Sequence, residues 1–170
     1  MKDFMPVWKD GLAWKVEYSF AQPSAAAVMD PADEAVRKVW DYKAVRVRGG
    51  GWRLVVSEAA PLGQERYEVA FSSACEVLKA VQFNHLGEPH QVFNDSEGAE
   101  FRADSVSVPL LDWPAWASGR AEGGAWVLRV EKQGYSAFTE RFAWRKGRPW
   151  WSEAERSYGA RRVKARLLQP

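Results

Sequence analysis

Apolar and polar residues alternate with a period of two over much of this chain, and that period predicts β-strands. Trp14, Val16, Tyr18 and Phe20 take alternate places, with Lys15, Glu17 and Ser19 between them. The spacing predicts a half-buried strand with an aromatic inner face. Trp40, Tyr42 and Ala44 alternate with Asp41 and Lys43, and this strand continues through Val45, Arg46, Val47 and Arg48. Gly49-Gly50-Gly51 then predicts a turn, because glycine accepts positive φ without a steric penalty. Trp52 to Val56 returns as the partner strand of a hairpin.

The pattern resumes downstream. Tyr67, Val69 and Phe71 face opposite to Arg66, Glu68 and Ala70, and Val77, Val81 and Phe83 follow in the next segment. Leu86-Gly87-Glu88-Pro89 predicts a turn into a short strand from Gln91 to Asn94. Trp126, Leu128 and Val130 alternate with Arg129 and Glu131; after a turn at Gly134 come Phe138, Phe142 and Trp144, with Arg141 and Arg145 opposite. Lys146-Gly147-Arg148-Pro149 turns the chain again. Trp150 to Tyr158 and Arg161 to Leu168 are expected to close the fold as a hairpin around Gly159.

About nine to eleven short strands joined by Gly/Pro turns read as a mainly all-β, antiparallel half-barrel or barrel. Helix signals are few. Asp30-Pro31-Ala32-Asp33-Glu34-Ala35-Val36 offers a cap residue, Pro at the first helical position and early acids, and Pro109 to Trp116 is long enough for one turn. A chain of 170 residues without a linker or repeat predicts one β-rich domain, residues 1–170. No segment approaches the roughly 20 apolar residues of a membrane-spanning helix. The opening Met-Lys-Asp-Phe-Met-Pro-Val-Trp has no apolar leader core, so the expected location is cytoplasmic, or exported if a leader has been removed.

The aromatic content sharpens this picture. Ten of the residues are tryptophan, and most fall on the alternating segments, so one face of the sheet is heavily aromatic. Each such ring buries about 150–250 Å², so the inward rings suffice to build a core. They would equally suit the wall of a cavity for an apolar ligand. The candidate ligand-binding residues on that reading are Trp14, Tyr18, Trp40, Tyr42, Trp52, Trp126, Phe142 and Trp144. Trp113 and Trp116, in Asp112-Trp113-Pro114-Ala115-Trp116, are candidates for a lid. With Trp150 and Trp151 they are also candidates for interface anchors, since exposed indoles are common anchors in protein interfaces.

Charge excludes more than it suggests. The net charge is +2, which gives no case for nucleic acid as the partner of the whole chain. The segment from Ala137 to Pro170 carries nine Lys/Arg against three Glu, and Arg162, Lys164 and Arg166 share one strand face. Such a face reads as solvated, with single-stranded nucleic acid or an anionic surface as the other chemistry it could serve. Cys75 is the single cysteine, so no internal disulfide forms, and its context suits packing better than catalysis. His85, Glu88 and His90 stand across a turn and read as solvated residues rather than metal ligands. Asn94 to Glu100 is an acidic loop without calcium-loop spacing. Phosphate loops, nucleophile elbows and zinc spacings are absent from the sequence. No metal, cofactor or catalytic group is therefore expected.

The opening motif Pro6-x-Trp8-x-x-Gly11-x-x-Trp14-x-Val16-x-Tyr18 resembles the first strand of uncharacterised bacterial antiparallel-β proteins. The strand-rich pattern is similar to the half-barrel of lipoprotein carriers. The resemblance covers under a tenth of the chain and implies architecture only. The expected function is a non-enzymatic binding protein holding an apolar or lipid-like ligand in an aromatic-lined β concavity. The alternative is a protein–protein interaction module, an adaptor, inhibitor or assembly component, that uses exposed Trp anchors.

Overall fold

The computed structural model describes residues 2–21, 36–58, 66–73, 77–94, 119–132, 138–158 and 161–168. These residues form eleven antiparallel strands and one short 3-10 turn, Lys2–Phe4. The strands are β1 (Ala13–Ala21), β2 (Val36–Arg46), β3 (Trp52–Glu58), β4 (Arg66–Phe71), β5 (Val77–Phe83), β6 (Pro89–Asn94), β7 (Arg120–Glu122), β8 (Ala125–Lys132), β9 (Phe138–Arg145), β10 (Glu153–Tyr158) and β11 (Arg161–Leu167). The all-β antiparallel reading holds. Residues 30–35 and 109–116, where helices are expected, lie outside the described residues, and Val36 opens β2.

The chain forms two compact units. One contains Trp8–Val16, β2 from Val39 onward, β3 to β6, and Leu168. Its strands are hydrogen-bonded in the order β6-β5-β4-β3-β2-β1. The other contains Met1–Val7, β1 from Glu17 onward, and β7 to β11, in the order β1-β11-β10-β9-β8-β7. Among the described residues β6 ends one order and β7 the other, and these two strands do not pair with each other.

In the β2–β6 unit the three-glycine turn forms as the sequence predicts. Gly49, Gly50 and Gly51 have φ of 96°, 95° and 95°, a region that other residues rarely adopt. Gly51 is needed for a second reason. A Cβ there would stand 2.7 Å from the carbonyl oxygen of Phe71, so the turn lies directly against the end of β4. The hairpin pairs Arg46 with Trp52, Ala44 with Leu54 and Tyr42 with Val56. Period-two alternation then puts Trp14, Val16, Trp40, Tyr42, Ala44, Leu54, Val56, Tyr67, Val69 and Phe71 on the buried side. The rings contact one another. Trp14 stacks on Tyr42 at 5.7 Å, Trp40 meets Tyr67 edge-on at 5.6 Å, and Trp8 closes on Phe71 at 5.2 Å. Such pairs contribute about 0.5–1.5 kcal/mol each beyond simple burial.

In the β7–β11 unit one face buries Phe142, Trp144, Leu128, Ala154 and Ala165, and Ala125, Val127 and Ala143, in the opposite phase of β8 and β9, are buried as a second cluster. The closing hairpin starts later than the sequence suggests, at Glu153 rather than Trp150. Trp150, Trp151 and Ser152 form a bend, and the Ser152 backbone N–H and Oγ both donate to the Ala143 carbonyl, at 2.7 and 2.9 Å. β7 is not legible as a strand, because Arg120-Ala121-Glu122 is three exposed residues on an edge.

Candidate functional site

The rings expected to line a ligand cavity are largely core. Trp14, Tyr18, Trp40, Tyr42, Phe142 and Trp144 are each 2% exposed or less, while Trp52 and Trp126 are half-buried. Trp14, Trp40, Tyr42 and Trp52 belong to the β2–β6 unit; Tyr18, Trp126, Phe142 and Trp144 belong to the β7–β11 unit. Trp126 stacks on Phe4 at 6.1 Å, and the Arg46 guanidinium lies 5.5 Å from the Trp52 ring.

Two of the expected interface anchors are not at the surface. Trp150 and Trp151 are both 0% exposed, which corrects their reading as exposed anchors or a lid. The bend held by Ser152 explains their position. Trp151 packs against Phe142 at 6.4 Å and Tyr18 at 6.2 Å, and Trp150 against Trp151 at 6.0 Å. Trp113 and Trp116 lie outside the described residues.

A concavity of about 440 Å³ lies on the other, outward side of the β2–β6 unit, across β1, β2 and β3. Its outward-facing residues are Ala13 and Lys15 from β1, Asp41 and Lys43 from β2, and Val55 and Ser57 from β3. Trp14 and Tyr42, the buried residues between them, complete its floor. The lining is mainly apolar. Side-chain length accounts for the hollow. Ala13, Val55 and Ser57 are short, and longer side chains stand beside them; Lys43 is directly opposite Val55, and Asp41 directly opposite Ser57. The volume falls within the roughly 300–1,000 Å³ typical of small-molecule sites.

The charges around it are unevenly paired. Lys15 Nζ lies 3.0 Å from Asp41 Oδ1, an ion pair exposed enough to contribute little stability. Lys43 is exposed and has no carboxylate within ion-pair distance among the described residues. Two ammonium groups and one carboxylate therefore border an apolar floor. Trp14 and Tyr42, expected as ring walls of an aromatic concavity, lie beneath this hollow, and its six outward residues are not among the sequence candidates. Their signal, short residues beside long ones on neighbouring strands, exists only once the strand register is known.

The other candidate chemistry disperses. The basic face of β11 is met by carboxylates: Arg166 Nε donates to Glu17 Oε1 at 2.9 Å, Arg162 pairs with Glu155 at 3.2 Å, and Lys164 stands opposite Glu155 in register. Arg141 pairs with Glu153 at 3.7 Å. Arg129 makes a two-pronged contact with Glu122 at 2.9 and 3.0 Å, and this hydrogen bonding holds the Glu122 carboxyl below its usual pKa. His85 is exposed, and Glu88 accepts a hydrogen bond from Asn84 Nδ2 at 3.1 Å within the β5–β6 turn. Cys75 and residues 95–100 lie outside the described residues.

The sequence reading also misses a buried ion pair. Arg156 and Glu140 stand opposite each other on β10 and β9, 6% and 2% exposed, with Arg156 Nε donating to Glu140 Oε1. Its signal was present: Glu140 occupies the phase of Phe138, Phe142 and Trp144 on its strand. Compared with protein families, curated proteins and solved structures, the chain has no match in any of the three.

Proposed function

We propose that this chain is a non-enzymatic binding protein for an apolar or lipid-like ligand, and that the ligand sits in the concavity over β1, β2 and β3. The observation that carries the reading is the concavity itself, a mainly apolar hollow of about 440 Å³ on a sheet face that otherwise presents polar residues. An apolar ligand there would cover Val55 and Ala13 and displace water from them, at about 25 cal/mol per Å² of apolar area removed. The stacked Trp14–Tyr42 pair beneath stiffens the floor, so little ordering would accompany binding. Among the candidate ligand residues, Trp14 and Tyr42 lie beneath this site with their rings packed on the opposite face of the sheet, and Trp40 supports the same unit from its core.

Native mass spectrometry of gently purified protein, beside an organic extract of the same sample, tests the reading. A retained apolar small molecule, lost in Val55→Arg and kept in Leu86→Arg, is the expected result. Leu86 is 70% exposed on the β5–β6 turn and serves as the control. A bare protein mass, together with no heat of binding for either decanol or decanoate, overturns it.

A further inference from the structure

Resting on that reading, we infer that the ligand is an anionic amphiphile whose head group is held by the Lys43 ammonium while its apolar body lies over Val55 and Ala13. Of the two lysines at the concavity, Lys15 is already engaged by Asp41 at 3.0 Å. Lys43 has no such partner among the described residues, and its cross-strand neighbour is the apolar Val55. An ammonium beside apolar surface is a poor site for a neutral hydrocarbon alone and a good one for a carboxylate or other anion at the end of a chain. A charge-assisted hydrogen bond forms at the head, and partial exclusion of water strengthens it. The Lys43 methylene stem adds to the apolar wall while its head stays at the water boundary. Asp41 stands on the same face as Lys43, and its contact with Lys15 at 3.0 Å offsets part of its repulsion of an anion there.

Calorimetric titration with decanoate and with decanol separates this inference from the reading beneath it. The two probes share a chain length and differ in head charge. The expected result is decanoate binding about fivefold more tightly than decanol, with that preference lost in Lys43→Gln and kept in Lys146→Gln. Lys146 is exposed on the β9–β10 turn, so its substitution makes the same change in net charge away from the concavity. Equal binding of both probes, or a decanoate preference that persists in Lys43→Gln, overturns the inference and leaves the apolar-binding reading standing. Binding of neither probe overturns both. Decanoate binding that survives Val55→Glu, which sets a carboxylate opposite Lys43, places the anion elsewhere and overturns the inference as well.

Discussion

The Glu140–Arg156 pair is a costly feature of the β7–β11 unit to disturb by halves. Its side chains are 1% and 7% exposed, and the two residues stand opposite each other in the β9–β10 register, next to the Phe142–Ala154 pair. Two unit charges about 4 Å apart attract by about 4 kcal/mol at an effective dielectric of about 20. Removing each ion from water costs several kcal/mol, so the pair is close to neutral for stability when both members are present. The consequence is asymmetric. Glu140→Leu leaves a buried guanidinium facing an apolar side chain and is expected to cost about 3–5 kcal/mol. Arg156→Met strands the carboxylate and should cost a similar amount. Against a typical total stability of about 5–15 kcal/mol, either single change brings the unit near unfolding.

The double variant Glu140→Leu/Arg156→Met removes both charges and fills the same space with apolar atoms. It should return to within about 1 kcal/mol of the parent, or exceed it. Urea denaturation of the four proteins, followed by far-ultraviolet circular dichroism, closes the cycle. A double variant as unstable as the sum of the two singles would refute the reasoning, because the charges would then not be compensating one another. A loss below about 1 kcal/mol in both singles would also refute it, because the site would then be wet.

Three further outcomes follow from particular contacts. Gly51→Ala should cost about 1–3 kcal/mol, from positive φ and from the Cβ set 2.7 Å from the Phe71 oxygen, whereas Gly49→Ala, with open space around it, should cost about 1 kcal/mol; thermal melts of the two variants read the difference. Trp151→Ala should lower stability by about 3–5 kcal/mol, since this ring is core, and an unchanged melting temperature would argue against the burial seen here. Glu122 should titrate below the usual glutamate range in a carbon-detected NMR titration and move back toward it in Arg129→Gln, whose side chain cannot supply the charged fork. Because its folded pKa is depressed, the small stabilisation from Glu122 is present at and above the usual glutamate range. It fades as pH falls through the lowered value.

What was legible in the sequence is what a period of two encodes. The phases of β1 through β4 follow from which residues alternate, as do the buried Leu128 of β8 and Phe142 and Trp144 of β9, and the three-glycine turn follows from backbone sterics; in β5 the buried residue is instead Ala80, opposite Val69 and out of phase with the expected Val77, Val81 and Phe83. The failures have separate physical causes. β7 is too short and too polar to carry a period. Trp150 and Trp151 continue an aromatic run that reads as strand or surface anchor. Their burial depends on Ser152 bonding back to Ala143, nine residues upstream, and no local pattern records that contact. Glu140 interrupts an otherwise apolar phase. That interruption is visible in the sequence, but its partner Arg156 is sixteen residues away, and only the β9–β10 register shows that the two charges meet.

The concavity was illegible for a different reason, and the reason bears on where ligands are sought in strand-rich chains. Aromatic residues draw attention because they are large, yet large residues fill space. Here the described rings stack on one another beneath the sheet, as Trp14 does on Tyr42 and Trp40 on Tyr67. A hollow arises where side chains are short, and on this unit it arises on the polar face, between Ala13, Val55 and Ser57. Short residues carry no motif, and their neighbourhood is set by pairing between strands rather than by order along one. On the proposed reading the aromatic side still matters to binding, since rings stacked below the strands support the floor. On the same proposed reading the chemistry above that floor comes from Lys43, a residue that any count of charges would pass over as solvated surface.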